Sequence, residues 1–308
     1  MRWLFWTLQT LGLDTTSDDA AVPGLNRENA YSQPVLLPPL STQRAIADYL
    51  DAETARIDAL IAAKERLLAI LAEKRKALVT QAVTRGLDPG VPMRDSGIPW
   101  LGEIPAHWEV TRVGHLAVVQ NGSTPSRNRD EYWDPDGIPW VSSGQVNDYL
   151  VVTAEEHISE EGMRASNLRI VPAGSILVGM IGQGRTRGMS AHLSIDACIN
   201  QNVAAVTPKD DRLDSVFLHF AFEHAYDPLR NYGRGGNQPA LNCELIGEFP
   251  IQLPPPDEQA EIAKAIRSLK DRLQSLETAI SNSLPFARER REAVIAAAVT
   301  GQLDIGVS

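Results

Sequence analysis

The sequence predicts an α+β fold: one mixed, strand-rich domain inserted between two long helices that pair as an antiparallel coiled coil. Three observations carry this prediction. First, residues 35–88 return as residues 251–304 at a constant offset of 216 with no gap. Leu37-Pro38-Pro39 matches Leu253-Pro254-Pro255, Gln43 matches Gln259, Ile46-Ala47 matches Ile262-Ala263, and Ala82-Val83-Thr84 matches Ala298-Val299-Thr300. An internal repeat of this kind is read before anything else. Second, each copy is apolar at alternating steps of three and four, the seam of a coiled coil. Third, the intervening stretch changes to short β-branched runs bounded by Gly and Pro, which read as strands.

At the start of the chain, Met1-Arg2-Trp3-Leu4-Phe5-Trp6 has the charge-then-apolar order of a weak signal peptide. The repeat argues otherwise, because the same offset pairs Pro23 with Pro239, Leu25-Asn26 with Leu241-Asn242, and Pro34 with Pro250. It also sets Met1 against Phe217. Residues 1–34 therefore read as the remnant of another copy of the inserted domain. Its Trp3, Leu4, Phe5 and Trp6 form an apolar patch that is exposed unless a partner covers it.

The first long helix falls within 35–88. Its seam visits Ile46, Leu50, Glu53, Ile57, Leu60, Lys64, Leu67, Leu71, Lys74 and Leu78. The second, within 251–308, visits Ile262, Ile266, Leu269, Leu273, Leu276, Ile280, Ser283, Ala287, Arg290 and Val294. A Pro-Pro pair precedes each run, where a helix cannot yet have begun, and Ser41 and Asp257 are candidate N-caps. About 43 residues at 1.5 Å each make a helix roughly 60 Å long. Neither can be buried alone, so the copies pack on each other. Pro285 removes a backbone donor inside the second run and predicts a kink.

Residues 89–108 are dense in Pro and Gly and read as a linker. Residues 109–250 form the inserted domain. Glu109 to Gln120 reads as a strand ending in an Asn121-Gly122 turn, and Ile138 to Val141 and Ser175 to Ile181 read as further strands. Gly182-Gln183-Gly184-Arg185-Thr186-Arg187-Gly188 reads as a hairpin loop. Its glycines are a weak dinucleotide signal, since no helix pattern follows. Arg212 to Tyr226 is apolar at helical spacing, and 233–239 is a Gly-rich loop.

Composition bounds the function. With 308 residues, 43% hydrophobic and 22% charged, the chain is globular and large enough for about two units. Two cysteines without a pairing pattern suggest a reducing cytoplasm. Six histidines lack ligand spacing, so no metal or other cofactor is expected, and no run reaches the length of a membrane span. The net charge of −10 weighs against nucleic-acid binding, which wants a basic surface. From Ser96 to Pro250 there are 11 Lys plus Arg against 19 Asp plus Glu. Yet ten of those eleven cations are arginine, and many fall in predicted loops: Arg127 and Arg129, Arg185 and Arg187, Arg230 and Arg234. Arginine presents a planar fork to phosphate and to guanine, and Asn and Gln suit adenine. Ordinary solvated loops remain the competing reading, and DNA binding would need the acids segregated on the far face.

A set of motifs adds a resemblance. Asn121-Gly122-Ser123-Thr124-Pro125-Ser126 is followed by Tyr132-Trp133, Ile138-Pro139-Trp140-Val141, Asn200-Gln201-Asn202 and Asn237-Gln238-Pro239. Then come Leu241-Asn242, Leu253-Pro254-Pro255-Pro256 with Gln259, and Ala298-Val299-Thr300. The linker Ser96-Gly97-Ile98-Pro99-Trp100-Leu101-Gly102 fits the same pattern. In this order, with the helical repeat, the chain resembles the specificity (S) subunit of type I restriction-modification systems along essentially its whole length.

The resemblance implies a non-catalytic protein that selects DNA. Such subunits alternate two target recognition domains with two long helices. Each domain reads half of a bipartite site on double-stranded DNA, and the helices dock two modification methylase subunits. A restriction (nuclease) subunit completes the complex, and adenine methylation belongs to the partners. This chain departs from the pattern in carrying only 1–34 of a first recognition domain, so it is similar to the C-terminal half. Two copies joined head to tail through the long helices could restore a symmetric bipartite reader. The alternatives are a scaffold or decoy for the methylase that leaves DNA alone, and a truncated remnant of a full-length subunit. Neither a phosphate-binding loop nor the Asp/Asn-Pro-Pro-Tyr/Phe motif of adenine methylases is present, since the Pro-Pro pairs continue into Leu40 and Pro256.

Candidate DNA contacts are Thr124, Ser126, Arg127 and Arg129 in the first loop, and Arg185 and Arg187 in the hairpin. Gln183, Asn237 and Gln238 are candidates for base edges, with Arg234 beside them. Ser142, Ser143 and Gln145 follow a strand end at Trp140 and could join them. Asn200 and Gln201 read as buried amides that organise the fold, and Trp133 and Trp140 read as core.

Overall fold

The structure, a computed structural model, describes residues 1–11, 31–182, 184–233 and 240–305. Helix α1 (Arg2–Gln9) opens the chain, and α2 (Leu40–Arg85) is the first long helix. Strands β1 (Met93–Asp95) and β2 (Glu103–Pro105) form a small ribbon in the linker. The inserted domain holds β3 (Glu109–Arg112), α3 (Val113–Leu116), β4 (Ala117–Asn121), β5 (Trp133–Val141), β6 (Leu150–Val151), β7 (Glu156–Ile158) and α4 (Glu160–Ala165). It continues with β8 (Ile176–Gly179), β9 (Ser190–Leu193), β10 (Cys198–Ile199), β11 (Val203–Pro208), α5 (Ser215–His224), α6 (Tyr226–Asn231), α7 (Cys243–Glu248) and β12 (Pro250–Leu253). The second long helix, α8 (Pro256–Val299), ends the series. The fold is α+β, with two long helices flanking a strand-rich domain.

The chain divides into two compact units, Met1–Lys74 with Asp271–Ser308, and Arg75–Lys270. In the first unit the long helices run antiparallel. Arg290, Arg291 and Arg288 of α8 reach Glu53, Asp58 and Glu65 of α2, and Lys64 donates to Ser283 at 2.6 Å. Ile46, Ala47 and Leu50, early in α2, share a buried cluster with Ile295, Ala298 and Val299, late in α8. Trp3 and Trp6 of α1 complete that cluster, so the expected exposed tetrad is half buried. Helical spacing puts Trp3, Trp6 and Thr7 on one side and leaves Leu4, Phe5 and Leu8 in solvent.

The seam also differs from the strict heptad. Ile46, Leu50, Ile57 and Leu71 are buried, but Leu60, Leu67 and Leu276 are exposed. A helix of 3.6 residues per turn drifts about 20° per heptad against a 3.5 repeat, which carries these positions out of the contact. Each helix begins one residue ahead of its expected cap, at Leu40 and Pro256, and α8 runs through Pro285. The repeated glutamine has a repeated job. Gln43 donates to the Pro38 carbonyl and Gln259 to the Pro254 carbonyl, both at 2.8 Å, closing the turn into each helix.

In the second unit a five-stranded sheet has the order β4-β11-β8-β9-β6. Its central strands are buried on both faces. Ile176, Val178, Ala204 and Val206 face Leu218, Phe222, Ile246 and Phe249, whereas Leu177, Ala191, Val203 and Ala205 face Val141, Val151 and Ile199. Helix α5 is capped by Asp214, which accepts from the Phe217 amide at 2.7 Å. Its other side, Phe217, Phe220 and Ala221, packs on Val79, Ala82, Val83, Ile262 and Ile266 of the long helices. The continuous strand expected from Glu109 to Gln120 is instead β3 and β4 separated by the helical turn α3. Gly114 there lies against the Gly247 backbone of α7. Asn121-Gly122 is no hairpin turn either. Gly122 runs so close to Ile199 that a Cβ would overlap its carbonyl, which is why glycine stands there.

Candidate nucleic-acid interface

The parallel pair β5 and β10 organises the candidate site. Trp140 and Val141 pair with Cys198 and Ile199, and the Asn200 amide donates to the Val141 carbonyl at 3.1 Å. Two loops therefore leave side by side at their carboxyl ends, one bearing Ser142 and Ser143, the other Asn200 and Gln201. The first loop joins them from β4, because the Ser123 amide donates to the Ile199 carbonyl and Thr124 Oγ1 donates to Gln201 Oε1 at 2.5 Å. The β8–β9 hairpin is the fourth contributor. Asn147 Nδ2 donates to Thr186 Oγ1 at 3.1 Å, linking the loop after β5 to the hairpin that carries Arg185 and Arg187. Thr124, Ser142, Ser143, Arg185 and Arg187 thus belong to one contiguous set of loops.

Several expectations need correction within this set. Gln145 is 5% exposed, and its amide donates to the Thr153 carbonyl and accepts from the Glu155 amide. It shapes the loop and has no face left for a base. Gln201, expected to be buried, is exposed and bonded to Thr124, whereas Asn200 is buried and accepts from the Asn202 amide as a fold-organising group. Arg230 lies in α6, not in a loop, and donates to the Arg187 carbonyl at 2.9 Å. Tyr226 donates to the Arg185 carbonyl at 2.9 Å, so α6 holds the hairpin from beneath. Gln183, Arg234, Asn237 and Gln238 lie outside the described residues.

The first-loop arginines are engaged within the domain. Arg127 forms a two-pronged ion pair with Glu156, and its guanidinium stacks 3.7 Å from the centre of the Trp133 ring. The hydrogen bond from Arg127 holds the Glu156 carboxyl below its ordinary range, so the pair stays ionised. Arg129 pairs with Glu131 at 3.0 Å. The Ser126 hydroxyl is exposed, and its carbonyl accepts from Trp133 Nε1. Trp140 is core as expected, while Trp133 is half-buried. The exposed arginine of the hairpin, Arg185, is the freer candidate for DNA.

One network that sequence reasoning missed sets the loop after β5. Tyr149 ends it with φ +69°, a left-handed conformation that costs a bulky residue of order 1–3 kcal/mol. Its phenol is held by Lys270 of α8 and by Glu223 of α5, and Lys270 bonds Glu223 at 2.7 Å. Desolvation lowers the Lys270 ammonium and, with the Glu223 charge, pushes the Tyr149 phenol up. No motif marks three residues spread over 121 positions. Among the described residues there is no cluster of His, Cys, Asp and Glu able to hold a metal, and no helix long and apolar enough to cross a membrane.

Loops gathered at one edge of an α+β domain, carried by a repeated pair of long helices, define the architecture of a sequence-specificity module. The chain belongs to the family described as type I restriction modification DNA specificity domain, whose sequence profile matches residues 105–285. It is 28% identical over 182 residues to the type I restriction enzyme EcoR124I/EcoR124II specificity subunit of Escherichia coli. That match covers 58% of this chain and 44% of that protein. The MjaIX specificity subunit of Methanocaldococcus jannaschii is 28% identical over 183 residues, covering 57% of this chain and 40% of that protein. The matched segment is therefore less than half the length of these relatives.

Among solved structures, a chain from work on complex assembly and conformational transition of the type I R-M system superposes with a TM-score of 0.75 at 17% identity. It covers 98% of this chain and 71% of that one. The HsdS subunit from Thermoanaerobacter tengcongensis gives 0.58 at 16% identity, over 98% and 70%. At these identities the likeness establishes the fold.

Proposed function

We propose that this chain is the DNA-selecting, non-catalytic subunit of a cytoplasmic type I restriction-modification complex. The recognition domain within 109–250 reads one half of a bipartite site. The long helices dock modification methylase subunits, and a restriction subunit completes the nuclease. The observation that carries this reading is the convergence of Thr124, Gln201, Ser142, Ser143, Asn147 and Arg185 at one loop edge of a domain matched by the specificity profile. Hydroxyls, amides and an exposed guanidinium are the groups that read base edges and phosphates. Two copies joined head to tail through the long helices would present two such edges. Two acids beside this edge are already paired, Glu131 with Arg129 and Glu156 of β7 with Arg127.

Methylome sequencing of cells expressing the chain with its cognate methylase subunit tests the proposal. A methylated interrupted palindrome is the expected result. An asymmetric bipartite site would mean that a different chain supplies the second recognition domain. Absence of methylation in cells where chain and methylase co-purify would leave a scaffold and defeat the DNA-reading role.

A further inference from the structure

Three polar side chains of one helical stretch reach two loops of the candidate site. Glu223 lies in the last turn of α5, and Tyr226 and Arg230 lie in α6. They follow at steps of three and four, and the Arg230 guanidinium comes within 3.5 Å of the Tyr226 hydroxyl, so the three share one side. Glu223 accepts from the Tyr149 phenol at 3.3 Å, at the end of the loop after β5. Tyr226 and Arg230 donate to the Arg185 and Arg187 carbonyls, both at 2.9 Å, in the β8–β9 hairpin. The two loops are in turn tied to each other by Asn147 and Thr186 at 3.1 Å. The bonds close a circuit that runs from α5 through the loop after β5 and the hairpin, and back to α6.

Little besides this circuit holds the two loops at a fixed spacing. The hairpin carries Gly182, Gly184 and Gly188, and a glycine-rich loop has many conformations to lose on ordering. Gly188, at φ +83°, runs so close to α6 that a Cβ would lie 3.2 Å from the Arg230 Cα, but this pins one end of the hairpin only. Tyr149, Gly188, Glu223 and Tyr226 line a cavity of about 210 Å³, so side-chain packing does not fill the space beneath the loops. Hydrogen bonds set the spacing instead. Lys270 holds the Tyr149 phenol a second time and so keeps a residue with φ +69° in place.

We infer that Tyr226 and Tyr149 are positioning residues for DNA reading, which hold Arg185 and the 142–147 loop at the one spacing that fits the recognised half-site. Neither touches a base. Tyr226 acts through Arg185, whose carbonyl it binds while the arginine side chain stays exposed, and Tyr149 acts through the loop that bears Asn147. Loops ordered in advance lose less freedom on binding, so the effect is read as affinity for the preferred sequence. The inference rests on the proposed reading of DNA at this edge, and names the groups beneath it on which sequence preference depends.

The test is a double-mutant cycle on the chain in complex with its cognate methylase subunit. The probes are the duplex preferred from a randomised pool and a duplex of scrambled sequence. Tyr226→Phe keeps the ring and removes the hydroxyl. It should weaken binding of the preferred duplex about 5-fold and leave the scrambled one unchanged. In an Arg185→Ala background the same change should have no further effect, because it passes through Arg185. Tyr149→Phe should behave in the same way against Asn147→Ala. Tyr232→Phe, whose ring lies edge-on to Phe249, removes a hydroxyl bonded to neither loop and should bind as the wild type does. Thermal midpoints of the phenylalanine variants should stay within about 3 °C of the wild type, and a larger drop would make the tyrosines structural and overturn the inference. A loss from Tyr226→Phe that persists beside Arg185→Ala, or that is equal on both duplexes, would overturn it as well. Unchanged affinity in both Tyr226→Phe and Tyr149→Phe would do the same while leaving the functional reading intact. A wild type that prefers no duplex over another defeats the functional reading, and the positioning role with it.

Discussion

Arg185 and Arg127 share a side-chain type and differ in what surrounds them. Arg127 is clamped by Glu156 and lies over Trp133, so reaching DNA would cost it an ion pair and a stacking contact. Arg185 is exposed on the hairpin. Arg185→Ala is expected to cost roughly 1–3 kcal/mol of DNA affinity and to relax preference at one base pair, measured by binding across a randomised site. Equal weakening on every sequence would make it a phosphate contact instead. His219 supplies a second prediction. It is 2% exposed, with Nδ1 3.2 Å from Ser190 Oγ, the Tyr149 ring tilted against it and Lys270 nearby. Burial, helped by Lys270 and His192, pushes its imidazole down to about 3. The unfolded chain takes up a proton near pH 6.5 that the folded domain refuses. Stability is therefore intact above that pH and falls as the pH drops toward 3, by about 2 kcal/mol for this one group at about pH 5. Urea midpoints at neutral and acid pH should show the loss, and His219→Gln should flatten most of it. His192 and His224, also lowered by burial, account for what remains.

At the scale of elements, the candidate site depends on β4, β5 and β10 lying close together, and Gly122 is what permits it. Gly122→Ala places a methyl group on the Ile199 carbonyl, so the first loop must move away from β10. We expect a loss of at least about 1–3 kcal/mol, read as a lower thermal midpoint, with weaker DNA binding beyond what stability explains. Gly144→Ala is the control. Its new Cβ meets nothing nearer than the Ser142 hydroxyl at 3.5 Å, and its stability should stay within about 0.5 kcal/mol of the wild type. A larger effect at Gly144 would mean that the loop after β5 is under more strain than its contacts show. The Tyr149–Glu223–Lys270 network ties that loop to the second long helix.

For the whole molecule, the proposed two-copy assembly has a direct consequence. The complex with methylase should contain two copies of this chain, measurable from its mass in solution, and a strictly single copy would sink the head-to-tail arrangement. The two long helices were legible as elements, and their starts fall within a residue of the expected caps, because Gln43 and Gln259 repeat with their proline turns and because a 3-4 pattern has few other solutions. The strand pairs of the inserted domain were partly legible. The β8–β9 hairpin followed from two apolar runs around a Gly-rich loop, whereas the break at α3 did not, because Gly114 is explained only by Gly247 lying against it 133 positions later. The candidate site was legible as a set of loops. Its membership was not, since the sequence cannot say that Arg127 meets Glu156 or that Gln145 turns inward.

The sequence by itself determined the repeat, the helix-strand-helix order, the family and the loops from which recognition would come. Those follow from local periodicity, turn chemistry and motif order, which neighbouring residues are enough to express. The tertiary structure alone decided which polar groups are already paired and which seam residues drift out into solvent. Pairing and burial depend on contacts between residues more than two hundred positions apart, and no local pattern encodes those.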